Sequence, residues 1–157
     1  MIHITLMCAG RIKEKYYIDA VNEYVKRLGA YASVSIVEIK EERTSENASA
    51  AQIDAALKKE AAEFKIPSGS FTVALCVEGD ALSSEQLAKA LTDATASSAK
   101  LCFIIGSSNG LHESVKNAAH LRLSLSKMTL PHSLARVFTV EQLYRAFNIS
   151  AGGKYHK

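Results

Sequence analysis

The sequence predicts an α/β fold, a single domain over residues 1–157 whose mostly parallel sheet of five to six strands is covered by helices on both faces. Short apolar stretches of period two alternate along the chain with stretches of period 3.6. Strands separated by helices return through crossovers, and crossovers pair strands in parallel. The length of 157 residues, 48% of them hydrophobic, suffices for one core and leaves no room for a second domain. Two capping boxes, Ser49 with Gln52 and Ser83 with Gln86, mark the starts of helices.

Ile2 to Cys8 alternates as a strand and is closed by Gly10. Tyr17, Ala20, Val21, Tyr24 and Leu28 then recur at helical spacing until Gly29, which predicts a helix with a glycine C-cap. Val34 to Ile39 is the second strand, and the polar stretch Lys40 to Ala48 is a surface loop. The helix opened by Ser49 runs to about Phe64, after which Pro67-Ser68-Gly69 turns the chain. Phe71 to Val77 is an apolar, central strand, followed by a tight turn at Glu78-Gly79-Asp80 and the helix begun at Ser83. Leu101 to Ile105 is the fourth strand and His112 to Ala119 a short helix. Leu121 to Leu125 is the fifth strand, and the final helix holds Arg136, Glu141, Tyr144 and Arg145 before the tail Gly152 to Lys157.

Composition narrows the function. The apolar runs are far shorter than a bilayer span, and Met1-Ile2-His3 lacks the basic start of a signal peptide, so the expectation is a cytoplasmic protein with no membrane partner. Cys8, Cys76 and Cys102 are odd in number and widely spaced within apolar runs, a pattern of buried free thiols and not of disulfides or zinc ligands. No histidine pair has metal-ligand spacing on one helix, and no metal is expected. The net charge of +3 permits a polyanionic partner without requiring one.

Parallel sheets bind ligands beyond the carboxyl ends of their strands. Three ends share a texture here: Leu75 to Gly79, Ile104 to Gly110, and Leu125 to His132. Each passes from an apolar strand into glycine or small hydroxyl residues, which lets backbone approach a flat, partly polar small molecule. Each glycine alone also reads as an ordinary turn residue. Neither the spaced-glycine fingerprint of dinucleotide folds nor a lysine-bearing phosphate loop is present.

The run Leu125-Ser126-Lys127-Met128-Thr129-Leu130-Pro131-His132, followed by Arg136-Val137, Glu141-Gln142, Tyr144-Arg145-Ala146 and Tyr155-His156-Lys157, closely resembles the ribosomal RNA large subunit methyltransferase H family of the SPOUT superfamily. Ala9-Gly10, Lys13 to Tyr16, Lys26 to Gly29, Ile105-Gly106 and Ser108 to Leu111 extend the resemblance over the whole chain. One residue departs from the family pattern: Ser107 stands where a second glycine is usual. The resemblance implies methylation of N3 of a pseudouridine in a stem-loop of 23S ribosomal RNA on the assembled ribosome, with S-adenosylmethionine as donor. It further implies a homodimer and a C-terminal trefoil knot, a feature that chain topology alone argues against. It places the cofactor on Leu75, Gly106, Leu125, Ser126, Lys127, Met128, Thr129 and Leu130, within the three strand ends already singled out.

Methyl transfer to an imide nitrogen asks the protein to align two reactants and to favour the deprotonated nitrogen. His132, Arg136, Arg145, Tyr155 and His156 are the candidate catalytic residues, with Lys154 as further positive charge and Tyr155 as a stacking ring. His132 reads either as a base or as a polar group at a helix start. Arg136, one turn on, shares its face. Arg145 reads equally as the partner of Glu141 in an i,i+4 salt bridge. Lys13, Lys15, Lys26 and Arg27 either dock phosphates or face water. Behind two glycines the tail is expected to be mobile until RNA arrives. The apolar residues of the final helix suit burial against both its own sheet and a second subunit. Two other readings share parts of this pattern: a nicotinamide-dependent oxidoreductase, which needs a glycine loop absent here, and a non-catalytic ribosome-binding factor, which leaves the ligand-like strand ends without a purpose.

Overall fold

The computed structural model describes all residues from Met1 to Lys157. Five strands, β1 (Ile2–Ala9), β2 (Ala32–Ile39), β3 (Phe71–Ala81), β4 (Lys100–Ile105) and β5 (Leu121–Ser124), form one sheet in the order β2-β1-β4-β3-β5. Every pair is parallel. The helices are α1 (Lys15–Leu28), α2 (Ala50–Glu63), α3 (Ser84–Ser97), α4 (Glu113–Ala118) and α5 (His132–Ser150).

Strand alternation divides the core in two. Ile4, Leu6 and Cys8 of β1 and Leu101, Phe103 and Ile105 of β4 face α1, α3 and α5. Met7, Ala9, Cys102 and Ile104 face the other way, against Phe64 at the end of α2 and Val115 of α4. Both capping boxes form: Ser49 Oγ accepts from Gln52 N, and Ser83 Oγ from Gln86 N. Gly29 does end α1, but in the right-handed conformation and not the left-handed one that a glycine cap usually supplies.

The predicted tight turn at Glu78-Gly79-Asp80 is not there. β3 continues to Ala81, and Leu123 of β5 lies opposite both Leu75 and Asp80, so Cys76 to Gly79 leave the ladder and rejoin it. A Cβ on Gly79 would stand 2.8 Å from the backbone of Arg122 and Leu123. Glycine is needed here for close approach between strands, a demand that pattern reading mistakes for a turn. Because all five strands run the same way, the ends of β3, β4 and β5 open on one edge, beside the start of α5.

Candidate functional site

Those three strand ends enclose a cavity of about 750 Å³, within the range of small-molecule sites. Its walls are Leu75 to Glu78, Ile105 to Leu111, Leu125, Ser126 and Met128 to Pro131, with Lys116 from α4 and His132 and Ala135 from α5. Seven of the eight expected cofactor positions are on that wall: Leu75, Gly106, Leu125, Ser126, Met128, Thr129 and Leu130. Lys127 is not; its side chain is exposed.

The turn after β4 closes on itself. Gly110 N donates to Ser107 O at 2.9 Å, and a Cβ on Gly106 would stand 2.2 Å from the Gly110 carbonyl oxygen. Gly106 therefore permits the turn itself as well as the approach of a ligand. Ser107 fits without displacing it, because its hydroxyl turns away from the cavity to donate to Glu60 Oε1 at 2.9 Å. In the loop after β5, Met128 N donates to Ser126 Oγ at 3.0 Å, leaving the Met128 side chain 79% exposed at the cavity rim.

Besides the Cys76 thiol, three side chains with ionisable groups face the cavity: Glu78, Lys116 and His132. Lys116 Nζ donates to the Glu78 carboxylate, which holds that carboxyl below its ordinary range. His132 Nδ1 is buried with no protein partner. Cys76 also lines the wall, and burial raises its thiol. Cys8 and Cys102 lie deep in the sheet, where burial pushes their thiols up to about 12 and about 11.

The five candidate catalytic residues fall into separate places. His132 is at the cavity. Arg136 is only 3% exposed: Nη1 donates to Glu38 Oε2 at 2.7 Å and Nη2 to Gly10 O at 3.1 Å, which clamps α5 to the ends of β1 and β2. Its Nε, buried and unpartnered, is the one polar atom of the group left over. Arg145 lies more than three turns beyond His132, about 20 Å along the helix.

There it forms one cluster with the tail. Glu141 Oε1 accepts from Arg145 Nη2 at 2.6 Å and from the Tyr155 hydroxyl at 3.1 Å. The Arg145 guanidinium lies 4.6 Å from the centre of the Tyr155 ring, which packs edge-on against Tyr144 at 4.8 Å. Arg145 Nη1 donates to His156 Nδ1 at 3.2 Å, and His156 Nε2 meets Glu85 Oε1 at 2.7 Å. Tyr155 N donates to Asn148 Oδ1 at 3.1 Å, and Gly153 lies so close to Asn148 that a Cβ there would stand 2.3 Å from Nδ2. The tail is thus fastened to α5 instead of hanging free as the glycine pair suggests. Asn148, two turns back in the same helix, supplies what that pattern hides.

Sequence reasoning assigned no role to Lys116 or Glu60. Lys116 reaches the cavity from a helix whose placement depends on tertiary packing. Glu60 left a legible trace: it occupies the stripe Ile53, Leu57, Glu60, Phe64, where an apolar residue is due.

Residues 2–156 match the family described as predicted SPOUT methyltransferase. The chain is 41% identical to Ribosomal RNA large subunit methyltransferase H of Streptococcus uberis over 98% of its own length and 99% of that protein. It is likewise 41% identical to the protein of that name from Clostridioides difficile, over 99% of this chain and 100% of the other. In fold it resembles a probable methylase family protein from Haemophilus influenzae, with a TM-score of 0.56 at 15% identity over 99% of this chain and 70% of that one.

Proposed function

The chain belongs to the SPOUT methyltransferase family and, within it, to the ribosomal RNA large subunit methyltransferase H proteins, and from that membership we propose that it methylates 23S ribosomal RNA with S-adenosylmethionine as donor. The finer reading is transfer to N3 of a pseudouridine on the assembled ribosome. The observation that supports it best is the coincidence of seven expected cofactor positions on one cavity of suitable size.

The residues present fit such a cofactor. Apolar side chains from Leu75, Leu125 and Leu130 offer surfaces for a flat base, and the turn and loop backbones offer donors and acceptors at its edge. Bound there, the cofactor would supply a methyl group already activated on a sulfonium sulfur. The protein's share is alignment and proton control. His132, which stands on the cavity wall at the start of α5, is our candidate to hold or take the imide proton. Arg145, Tyr155 and His156 are proposed to meet the RNA, with Tyr155 as a stacking surface. Arg136, sealed by Glu38 and Gly10, serves by fixing the helix that carries His132.

Since Arg145 and the tail sit about 20 Å along the helix from His132, one chain does not bring both groups together. A homodimer in which the tail of one protomer serves the cavity of its partner resolves this. The exposed apolar side chains Val77 and Met128 at the cavity, with Leu134 exposed on the first turn of α5, favour such cover. The trefoil knot implied by the family belongs to the same reading, and the double engagement of β5 by β3 is compatible with it.

Calorimetry with S-adenosylmethionine beside reduced nicotinamide cofactors, followed by mass spectrometry of ribosomal RNA from treated ribosomes, tests this. Binding of S-adenosylmethionine alone and a gain of one methyl on a pseudouridine are expected. No binding, or unmodified RNA from an enzyme that binds, would overturn it.

A further inference from the structure

Glu60 is 2% exposed, yet its carboxylate has no cation among its hydrogen-bond partners. One oxygen accepts from Ser107 Oγ and the other from Glu42 N, each at 2.9 Å. The first partner belongs to the turn that walls the cavity, the second to the loop after β2. The same two segments meet twice more: Asn109 Nδ2 donates to Thr44 Oγ1 at 3.1 Å and Ser108 Oγ to Glu41 Oε1 at 3.4 Å. Burying a carboxylate without a counter-ion is costly, and burial does raise the Glu60 carboxyl, with Glu41 and Glu42 adding repulsion. A hydrophobic residue would suit the helix stripe better, so the stability of α2 does not explain this residue.

We propose that Glu60 is a positioning residue of the cofactor cavity, locking the turn Ser107–Gly110 to the loop Glu41–Thr44 so that the turn holds the shape the cofactor requires. Glu60 itself does not line the cavity; it acts through Ser107. The inference rests on the reading of that cavity as the S-adenosylmethionine site. It gives the polar loop after β2 a task, as the anchor against which the turn is braced.

The test uses the full-length protein with Glu60→Ala, Glu60→Gln and Ser107→Ala. Hydrogen exchange at Glu42 and across residues 107–110 reads the lock, and calorimetry with S-adenosylmethionine reads its consequence. In Glu60→Ala, exchange should accelerate and affinity fall by about tenfold or more, the scale of one lost charge-assisted bond. Glu60→Gln should recover most of both, because its amide oxygen still accepts from Glu42 N while its amide nitrogen donates to the Ser107 hydroxyl. Ser107→Ala, which removes one hydroxyl and cuts a single buried bond, should give an intermediate loss and answers the question even if Glu60→Ala fails to fold. Wild-type exchange and affinity in Ser107→Ala, or a Gln variant as impaired as the Ala variant, would overturn the proposal. A wild-type protein that binds no S-adenosylmethionine would sink the cofactor reading instead, and the exchange of Glu42 and the turn would still decide whether the lock exists.

Discussion

At the scale of single residues, burial separates chemistry from scaffolding among side chains of the same type. Arg136 and Arg145 lie on one helix, and both looked equally fit to stabilise an anion. Arg136 makes two guanidinium bonds to Glu38 and Gly10 inside the fold, whereas Arg145 stays partly exposed with Glu141 and the tail. Replacing Arg136 by Leu should therefore destabilise the protein by about 2–3 kcal/mol, since the Gly10 carbonyl and the partly exposed Glu38 carboxylate lose a charged partner. Cofactor affinity in the fraction that remains folded should be close to wild type. Chemical denaturation beside calorimetry checks this, and a stable Arg136→Leu protein with lost turnover would return Arg136 to the catalytic set. Residue type and helical spacing were legible in the sequence; Glu38, almost a hundred positions away, was not.

At the scale of elements, local signals translated well wherever the partners were local. Both capping boxes formed, and strand alternation divided the core as the period-two pattern implies. The misreadings have one cause: a glycine's meaning depends on what lies opposite. Gly79 faces the backbone of β5, not a turn, and Gly153 faces Asn148, not solvent. The tail is accordingly a docked element. Removing Lys154 to Lys157 takes away the Tyr155 ring contacts and its bonds to Glu141 and Asn148, roughly 2 kcal/mol in all. For a chain of this size that corresponds to a fall in melting temperature of about 4–8 °C. A scan of the chain ending at Gly153 should show that shift while S-adenosylmethionine affinity persists, since the cavity lies at the other end of α5. Turnover on ribosomes should fall far beyond the loss of folded protein, and an unchanged melting temperature would mean that the tail does not rest on α5 in solution.

At the scale of the whole molecule, the cavity and the tail pose a problem of distance that the proposed dimer would solve. α5 is a single helix of 19 residues, about 28 Å long, with His132 at its start and the tail folded back on its second half. If each active site joins one protomer's cavity to its partner's tail, two differently damaged protomers can complement one another. Gly106→Val distorts the turn, because its side chain would run into the Gly110 carbonyl, while truncation at Gly153 removes the tail and spares the cavity. Each homodimer should be nearly inactive on ribosomes. A heterodimer of the two, purified through different affinity tags, contains one intact cavity facing one intact tail and should recover about half of the wild-type turnover, as the two-fold arrangement of sites requires. Sites built within single chains predict the opposite, because one protomer then lacks the cavity and the other lacks the tail. An inactive heterodimer whose subunits are folded, and whose truncated protomer still binds S-adenosylmethionine, would rule out the shared site and require the tail to leave Glu141 and cross its own helix to reach the RNA.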